Sequence, residues 1–183
     1  KGIKIIEDSG GLLGISVTGH ERFWNIATNT FDEKIKQNWI FANSTHTIDL
    51  LRFFGGEIIK QHSFSNSIEH KNNDQFVTSI KFKSGALGTY TSHWYSPGGW
   101  SVILYGYGKT VTFKPLEKGY WNDRDMNTFS IEPDSVDLKY KQGFHGQLRG
   151  FINLINNGKL DWPGVDLNEA FKTMSLAKKI RGR

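Results

Sequence analysis

An amphipathic helix is predicted by the stretch Asn43-Ser-Thr-His46-Thr-Ile-Asp49-Leu-Leu-Arg52-Phe-Phe-Gly55-Gly56-Glu57. Its apolar residues recur at spacings of three and four, which places them on one face of a helix. Asn43 and Ser44 are expected to cap the first turn, because their side-chain oxygens can accept hydrogen bonds from its free N–H groups. Gly55 and Gly56 are expected to end the helix, because glycine readily adopts the left-handed conformation found just past a helix end.

Two ionisable residues lie near the start of this predicted helix. His46 and Asp49 are three residues apart, so they share one face at its N-terminal end. The positive end of the helix dipole favours a neutral imidazole, which can accept or donate a proton near pH 7. A histidine in this position more often caps the helix or packs as a polar residue. A catalytic and a structural role for His46 therefore both remain open on spacing alone.

On both sides of the helix, apolar and polar residues alternate with the period of β-strands. A tight turn at 83–85 joins two such segments into a hairpin, and short turns join most of the others. Consecutive strands with short connections pair antiparallel, because parallel pairing needs a long crossover. The predicted strands are 13–20, 58–68, 76–82, 86–95, 100–107 and 110–114, with edge strands at 129–131 and 136–140.

Two further helices are predicted near the C-terminus. The first covers 144–155, where an apolar stripe ends at Asn157-Gly158, and Asp166 is expected to cap the second, at 167–180. The predicted fold class is therefore α+β: an open, mostly antiparallel β-sheet with helices packed on one face.

Helices can cover only one face of such a sheet. Alternation along 76–82 and 86–95 places apolar groups on both faces, including Val77, Leu87 and Trp94. A large exposed apolar patch usually marks an interface. We therefore expect a homodimer or homotetramer that forms through the open sheet face.

The composition is typical of a soluble globular domain. The 183 residues suffice for a single domain, with 37% hydrophobic and 22% charged residues. There is no cysteine, which excludes disulfides and thiolate metal sites and suits the cytoplasm. The net charge is +5, but the basic residues cluster only near the C-terminus, so no nucleic-acid partner is expected. No apolar run has the length of a membrane span, so no membrane partner is expected either.

Motifs that would identify a cofactor or metal site are incomplete. Gly11 and Gly14 have the spacing of the last two glycines of a dinucleotide-binding fingerprint, but the first position is Ser9 and a strand follows. No set of histidines and carboxylates has metal-ligand spacing, so no metal is expected. The chain begins with Lys1 rather than methionine, and we interpret it as a fragment or a trimmed chain.

Five segments, taken in order, carry a family resemblance. They are Gly11-Leu-Leu-Gly14-Ile-Ser-Val, Ser44-Thr-His46-Thr-Ile-Asp49-Leu-Leu-Arg52 with Gly55-Gly56-Glu57, Phe82-Lys-Ser-Gly85-Ala86-Leu-Gly88, Val102-Ile-Leu-Tyr-Gly106-Tyr-Gly108-Lys-Thr, and Gly143-Phe-His-Gly-Gln147-Leu-Arg-Gly-Phe151 followed by Asp166. Together they span nearly the whole chain, which resembles the C-terminal domain of the glucose–fructose oxidoreductase, inositol dehydrogenase and MocA (Gfo/Idh/MocA) family.

The resemblance implies a glyceraldehyde-3-phosphate dehydrogenase-like C-terminal domain and an NAD(P)-dependent dehydrogenase of sugars, polyols or nucleotide sugars. It also implies an N-terminal Rossmann domain, absent from this chain, that binds NAD or NADP, so the isolated chain is expected to be inactive. The family's catalytic histidine matches His46. Many members have an aspartate four residues earlier, where this sequence has Ala42, with Asn43 next to it.

The implied reaction is oxidation of a secondary alcohol: a base takes the hydroxyl proton while hydride passes to the nicotinamide. His46 is the expected acid/base residue. Asn43, Arg22 and Trp24 are the candidates for substrate binding, and Asp49 is expected to orient the imidazole or the backbone. The cofactor-binding residues are not predicted.

Two other functions remain open at this stage. An NAD-dependent glycosidase of the same family would release a free sugar without net reduction of NAD. A non-catalytic, β-rich interaction module would have no cofactor domain in its full-length sequence.

Overall fold

The computed structural model of the protein describes residues 1–161 and 163–182. They form two compact units, Lys1–Ile131 with Thr173–Arg183, and Glu132–Lys172. The larger unit contains one eight-stranded β-sheet with helices, and the smaller unit is helical.

The helices of the described residues are α1 (Gly2–Glu7), α2 (Phe23–Ala27), α3 (Glu33–Gln37), α4 (Thr45–Gly55), α5 (Ser135–Lys139), α6 (Phe144–Asn157) and α7 (Leu167–Arg181), and a π-helical turn, Ile40–Ser44, leads into α4. The strands are β1 (Leu12–Gly19), β2 (Ile58–Asn66), β3 (Gln75–Phe82), β4 (Leu87–His93), β5 (Trp100–Gly106), β6 (Lys109–Phe113), β7 (Gly119–Asn122) and β8 (Thr128–Ile131). Their order in the sheet is β2-β3-β4-β1-β5-β6-β7-β8. Among the strands of the described residues, only β1 and β4 pair parallel, which confirms the predicted α+β class with a mostly antiparallel sheet.

Strand β1 lies in the middle of the sheet and carries α4 on one of its faces. Along β1, burial alternates, and Ile15, Val17 and Gly19 are the buried positions. Ile48 and Leu51 of α4 are fully buried in the same core. The pattern that predicted the helix and the strand therefore also defines the interface between them.

Helix α4 packs closely against the sheet at two glycines, Gly55 and Gly19. A Cβ atom added at Gly55, the last residue of α4, would lie 2.3 Å from the ring of Phe82. A Cβ atom at Gly19 would lie 2.6 Å from both Thr47 Oγ1 and the Tyr90 hydroxyl oxygen. Thr47 is near the N-terminal end of α4, so contacts at both ends hold the helix against the sheet and set its first turn at the end of β1.

The start of α4 differs from the prediction. Asn43 and Ser44 do not cap the helix, because they belong to the π-helical turn, where Ser44 has helical angles of φ −65° and ψ −14° and makes no capping hydrogen bond. A preceding helical turn can supply carbonyl acceptors to the first N–H groups of α4, which leaves these two side chains for other partners. The C-terminal end agrees with the prediction, since Gly56 has φ +81°.

Three other local predictions were wrong. The predicted edge strand at 136–140 is a helix, α5, in which the Asp134 carbonyl accepts two backbone N–H groups. That segment is too short for its apolar pattern to separate strand from helix. Strand β7 had no predicted counterpart, although it pairs with both β6 and β8. Helix α2 begins at Phe23, where no helix was predicted.

The two C-terminal helices agree with the prediction. Asp166 caps α7, since its Oδ1 accepts the Glu169 N–H at 2.9 Å. The apolar stripe of α6 is solvent-exposed. None of the helices within 1–161 and 163–182 has the length and apolarity needed to cross a membrane.

Candidate functional site

The candidate site lies at the end of the sheet where β1 finishes. Strands β1 and β4 run parallel and end there together, and β5 begins there, with Trp100 opposite Gly19. The two residues that follow β1 are His20 and Glu21. Because side chains alternate along a strand, the side chains of His20 and Glu21 lie on opposite faces of the sheet. Glu21 continues the buried face that α4 covers, and His20 continues the open face.

His46 is the second residue of α4, and its side chain is exposed. The imidazole centroid lies 6.0 Å from the ring of Trp100, with the ring planes inclined by 40°. No hydrogen bond joins the imidazole to any other residue in the described part of the chain. The side chain is therefore available to a molecule that reaches the start of α4, with the indole of Trp100 as an apolar wall beside it.

The π-helical turn directs two polar side chains towards Glu21. Asn43 Nδ2 donates a hydrogen bond to Glu21 Oε1 at 3.1 Å, and the Ser44 hydroxyl donates to the same oxygen at 3.4 Å. Glu21 is buried, with 7% of its surface exposed. No cationic side chain of residues 1–161 or 163–182 forms an ion pair with it, so neutral donors hold this carboxylate.

Burial raises the pKa of the Glu21 carboxyl above its ordinary value, because the ionised form loses hydration. Asn43, Trp39, Trp100 and Ser44 each act in the opposite direction. The two indole N–H groups act as nearby dipoles only, since neither meets the geometry of a hydrogen bond to the carboxylate. The buried Trp39 Nε1 in fact has no hydrogen-bond partner among the described residues.

A second layer of hydrogen bonds supports this arrangement. Thr47 Oγ1 donates to the Ser44 carbonyl at 2.9 Å and lies 3.2 Å from the Tyr90 hydroxyl. Since the Thr47 hydrogen is used, the Tyr90 hydroxyl is the donor in the second bond. Complete burial raises the pKa of Tyr90 to about 12, so the phenol stays neutral and can keep that role. The network joins the sheet to the backbone that carries Asn43.

Asp49, predicted to orient the imidazole or the backbone, contacts another helix. Its Oδ1 accepts the Thr173 hydroxyl hydrogen of α7, and the same hydroxyl oxygen accepts a hydrogen bond from Arg52 Nη1 at 2.9 Å. No hydrogen bond joins Asp49 to His46. The side chain thus ties α4 to α7, and an effect on the imidazole would act through the position of the helix.

Arg22 and Trp24 are not brought to His46 by any contact in the structure. Arg22 is the exposed residue that precedes α2, and Trp24, within α2, is 40% exposed. Both lie within three residues of Glu21 along the chain. Their roles in substrate binding remain predictions.

Sequence reasoning missed Glu21. A signal was nevertheless present, because the buried face of β1 runs through positions 15, 17 and 19, and the next position with this period is 21. A carboxylate that continues a buried apolar face breaks the ordinary pattern. Trp100 was likewise not among the site residues predicted from the sequence.

The opposite face of the sheet carries a pair of histidines at the same end. The rings of His20 and His93 stack with centroids 5.5 Å apart, and His20 Nδ1 accepts the backbone N–H of His93 at 3.1 Å. Burial lowers the pKa of His20, and electrostatic interactions with His93 and Lys114 lower it further. His93 Nδ1 lies 2.6 Å from Gln75 Oε1.

Within 1–161 and 163–182, no group of three or more histidine, aspartate or glutamate side chains could hold a metal ion. A dinucleotide fold is also not formed by these residues, since the single parallel strand pair, β1 with β4, is not a βαβ unit with a glycine-rich turn.

Comparison with protein families identifies the chain. The GFO/IDH/MocA C-terminal domain matches residues 13–112, more than half of the sequence. The chain therefore belongs to the Gfo/Idh/MocA family, as the resemblance of its five segments predicted. A comparison with curated proteins gave no significant sequence match.

Solved structures with the same fold include several dehydrogenases. Levoglucosan dehydrogenase in complex with NADH has a TM-score of 0.77 and 15% identity, covering 98% of this chain and 58% of its own. UDP-N-acetylglucosamine 3-dehydrogenase GnnA from Acidithiobacillus ferrooxidans has a TM-score of 0.73 and 10% identity, with 97% and 56% covered. The dehydrogenase MviM from Clostridium difficile has a TM-score of 0.72 and 20% identity, with 97% and 56% covered. At these identities the likeness shows the fold, and the chain spans less than three fifths of each structure.

Proposed function

We propose that this chain is the substrate-binding part of an NAD(P)-dependent dehydrogenase that oxidises a secondary alcohol of a sugar, a polyol or a nucleotide sugar. The observation that carries the proposal is the exposed imidazole of His46 at the start of α4, beside Trp100 and the Glu21–Asn43–Ser44 network. Family membership supports it, as do the names of the similar structures, two of which are sugar dehydrogenases. The net charge of +5 suits an anionic nucleotide sugar.

In this proposal His46 takes the proton that leaves the substrate hydroxyl, and its exposed position lets the substrate reach it. Asn43 Oδ1 accepts a hydrogen bond from a second group of the substrate. Trp100 offers an apolar surface to the C–H groups of a sugar ring. Arg22 and Trp24 are proposed to contact more distant parts of the substrate, and Asp49 to hold α4 in position.

The nicotinamide, which accepts hydride when bound, is proposed to be held mainly by an N-terminal Rossmann domain outside this chain. The described residues form no glycine-rich βαβ unit, so the isolated chain is expected to be inactive. We place the protein in the cytoplasm, which a chain without cysteine suits.

The test replaces His46 by asparagine in the full-length protein, assayed with NAD and NADP against levoglucosan, D-glucose, myo-inositol and UDP-N-acetylglucosamine. The variant should fold normally, because the exposed imidazole makes no hydrogen bond within the described chain. Its kcat should fall by roughly 10²- to 10⁴-fold, the usual contribution of one positioned acid or base. The matched control is His62→Asn, which removes another histidine side chain, on β2.

Near-normal turnover in a well-folded His46→Asn protein would end the catalytic assignment. Release of free sugar without net NAD reduction would support the glycosidase alternative. No turnover of any compound by the full-length wild-type protein, together with the lack of a cofactor domain in its sequence, would support an interaction module.

We also propose that the open face of the sheet pairs with a second copy of this chain. Apolar side chains on that face are strongly exposed, with values of 62% for Leu87, 69% for Phe64 and 45% for Val77. Trp94, considered for that face as well, is buried in the core. A self-complementary apolar face on a sheet suits a two-fold dimer, which could pair again into a tetramer.

A further inference from the structure

We infer that Glu21 is a positioning residue of this site: it fixes the side-chain amide of Asn43 with Oδ1 towards the substrate, and so selects substrates that present a hydrogen-bond donor at that point. The inference rests on the proposed function and deepens it, since it names the chemical class of a second substrate group. Suitable groups are a hydroxyl, an amine or an amide N–H.

The orientation of the amide follows from the chemistry of its partner. Glu21 Oε1 accepts hydrogen bonds from both Asn43 Nδ2 and the Ser44 hydroxyl, and an oxygen that accepts from the amide requires its NH₂ end to face Glu21. The two lie 3.1 Å apart, as a normal hydrogen bond requires. If the amide rotated by half a turn, Oδ1 would face the carboxylate oxygen, and two acceptors would meet in a partly buried environment. The hydrogen-bonding chemistry of Glu21 thus determines the positions of the oxygen and the nitrogen in the Asn43 amide.

The other end of the amide is unoccupied by the protein. Asn43 Oδ1 has no hydrogen-bond partner within residues 1–161 and 163–182, and Asn43 is not fully buried. Asn43 lies three residues before His46, and Trp100 links the two parts of the site, acting on the Glu21 carboxylate by its N–H and contacting His46 by its ring. A free acceptor therefore lies in the same region as the exposed imidazole.

Glu21 itself is held too firmly to reorient with the substrate. It is 7% exposed, accepts the Ser44 hydroxyl as well as Asn43, and follows the last residue of β1 by two positions. Thr47 in turn holds the Ser44 carbonyl, which restrains the backbone next to Asn43. The amide orientation is thus imposed by the sheet and does not depend on the substrate.

Asn43 Oδ1, as an acceptor in a fixed orientation, discriminates between substrates because it stays without a hydrogen bond when the substrate has no donor at that point. A substrate that donates to Oδ1 gains one neutral hydrogen bond, and a methyl ether at that position leaves the acceptor unsatisfied and adds bulk. A loss of one such hydrogen bond corresponds to roughly a tenfold weaker interaction. The discrimination should appear mainly in KM, because the contact forms on binding and does not involve the transferred proton.

The test compares Glu21→Gln, Asn43→Ala and the double variant in the full-length protein, using the sugar of the panel above that gives the highest turnover and its mono-O-methyl ethers. The introduced glutamine keeps the size of Glu21 but can present either its oxygen or its NH₂ group to Asn43. The side-chain amide of Asn43 is then no longer restricted to one orientation. We expect Glu21→Gln to raise KM about tenfold, with kcat nearly unchanged, and to reduce discrimination against one of the methyl ethers.

Because the two residues act as a unit, the double variant should be no worse in KM than Asn43→Ala alone. The matched control is Glu57→Gln, which removes an exposed carboxylate just beyond the far end of α4. A merely structural role would lower the melting temperature of Glu21→Gln and leave KM and the ether discrimination as in the wild type. That pattern, or additive KM effects in the double variant, would overturn the inference.

A second readout does not depend on activity. With ¹⁵N-asparagine labelling, the side-chain NH₂ signals of Asn43, assigned by their loss in Asn43→Ala, report its hydrogen bond to the carboxylate. They should shift markedly in Glu21→Gln and not in Glu57→Gln. Unmoved signals overturn the inference whatever the kinetics show. A full-length wild-type protein that oxidises none of the panel compounds would refute the proposed function alone, while shifted signals would still establish the fixed amide.

Discussion

Replacing Gly55 by alanine should destabilise the protein, although the same replacement in a helix is ordinarily stabilising. Alanine is favoured over glycine by about 1 kcal/mol in a helix interior, and by less at a helix end. At Gly55, however, the new Cβ would lie 2.3 Å from two carbons of the Phe82 ring and 2.8 Å from a third. Phe82 is fully buried, so its ring has no free space to move into. Overpacking of this kind costs about 1–3 kcal/mol, and contacts this short belong at the upper end.

The expected net effect is therefore a loss of about 2 kcal/mol in the free energy of unfolding. Urea denaturation followed by circular dichroism measures it. The matched control is Gly146→Ala in α6, where a Cβ meets no atom within 4 Å, and this variant should gain roughly 0.5–1 kcal/mol. The double variant Gly55→Ala/Phe82→Leu, which replaces the aromatic ring by a smaller side chain, should recover part of the lost free energy of unfolding. A Gly55→Ala protein as stable as the wild type would refute the argument that this glycine is required by the close approach of α4 to the sheet.

Two further predictions concern the open face of the sheet. Burial, followed by interactions with His93 and Lys114, holds the His20 pKa below its ordinary value of 6.5. As the pH falls, His20 is therefore protonated in the unfolded chain before it is protonated in the folded chain. The stability that depends on the neutral imidazole is full above pH 6.5 and is lost as the pH falls through the folded-state pKa. The variant His20→Gln should show a smaller decline of melting temperature below pH 6.5 than the wild type, and the control His62→Gln should show the same decline as the wild type. An unchanged decline in His20→Gln would contradict the assignment of this pH dependence to His20. Leu87→Glu places a charge on a residue that is 62% exposed on the proposed interface, so sedimentation should show a folded monomer where the wild type is a dimer. A wild type that sediments as a pure monomer at micromolar concentrations would refute the interface.

The fold could be predicted where one periodicity persisted over enough residues. Strands β3 and β4 and helix α4 follow their patterns closely, because one face of each packs on a single core. The parallel pairing of β1 with β4 could not be read from local pattern, since it joins strands separated by three helices, a π-turn and the β2–β3 hairpin. Short α5 was mistaken for a strand, because five residues do not separate a period of two from one of 3.6.

The candidate site shows the same division. His46 and Asn43 were selected from the sequence, and the structure brings both to the end of β1 beside Trp100. Asn43 was selected together with an incorrect capping role, because capping preferences assume that the chain enters a helix from an extended conformation. The π-helical turn removes that condition. It turns the Asn43 side chain towards Glu21, which follows β1 and lies 22 residues earlier in the chain.

Glu21 is also the position where stability and function make different demands. On the buried face of β1, Ile15 and Val17 fill the core with apolar side chains, and a residue of that kind at 21 would not require burial of a charge. The raised pKa of Glu21 indicates that its neutral donors do not fully replace the lost hydration. Packing alone therefore gives no reason for a carboxylate here. A buried acceptor that dictates the orientation of Asn43 does, because only a group without hydrogens to donate can force an amide to present its oxygen to the site.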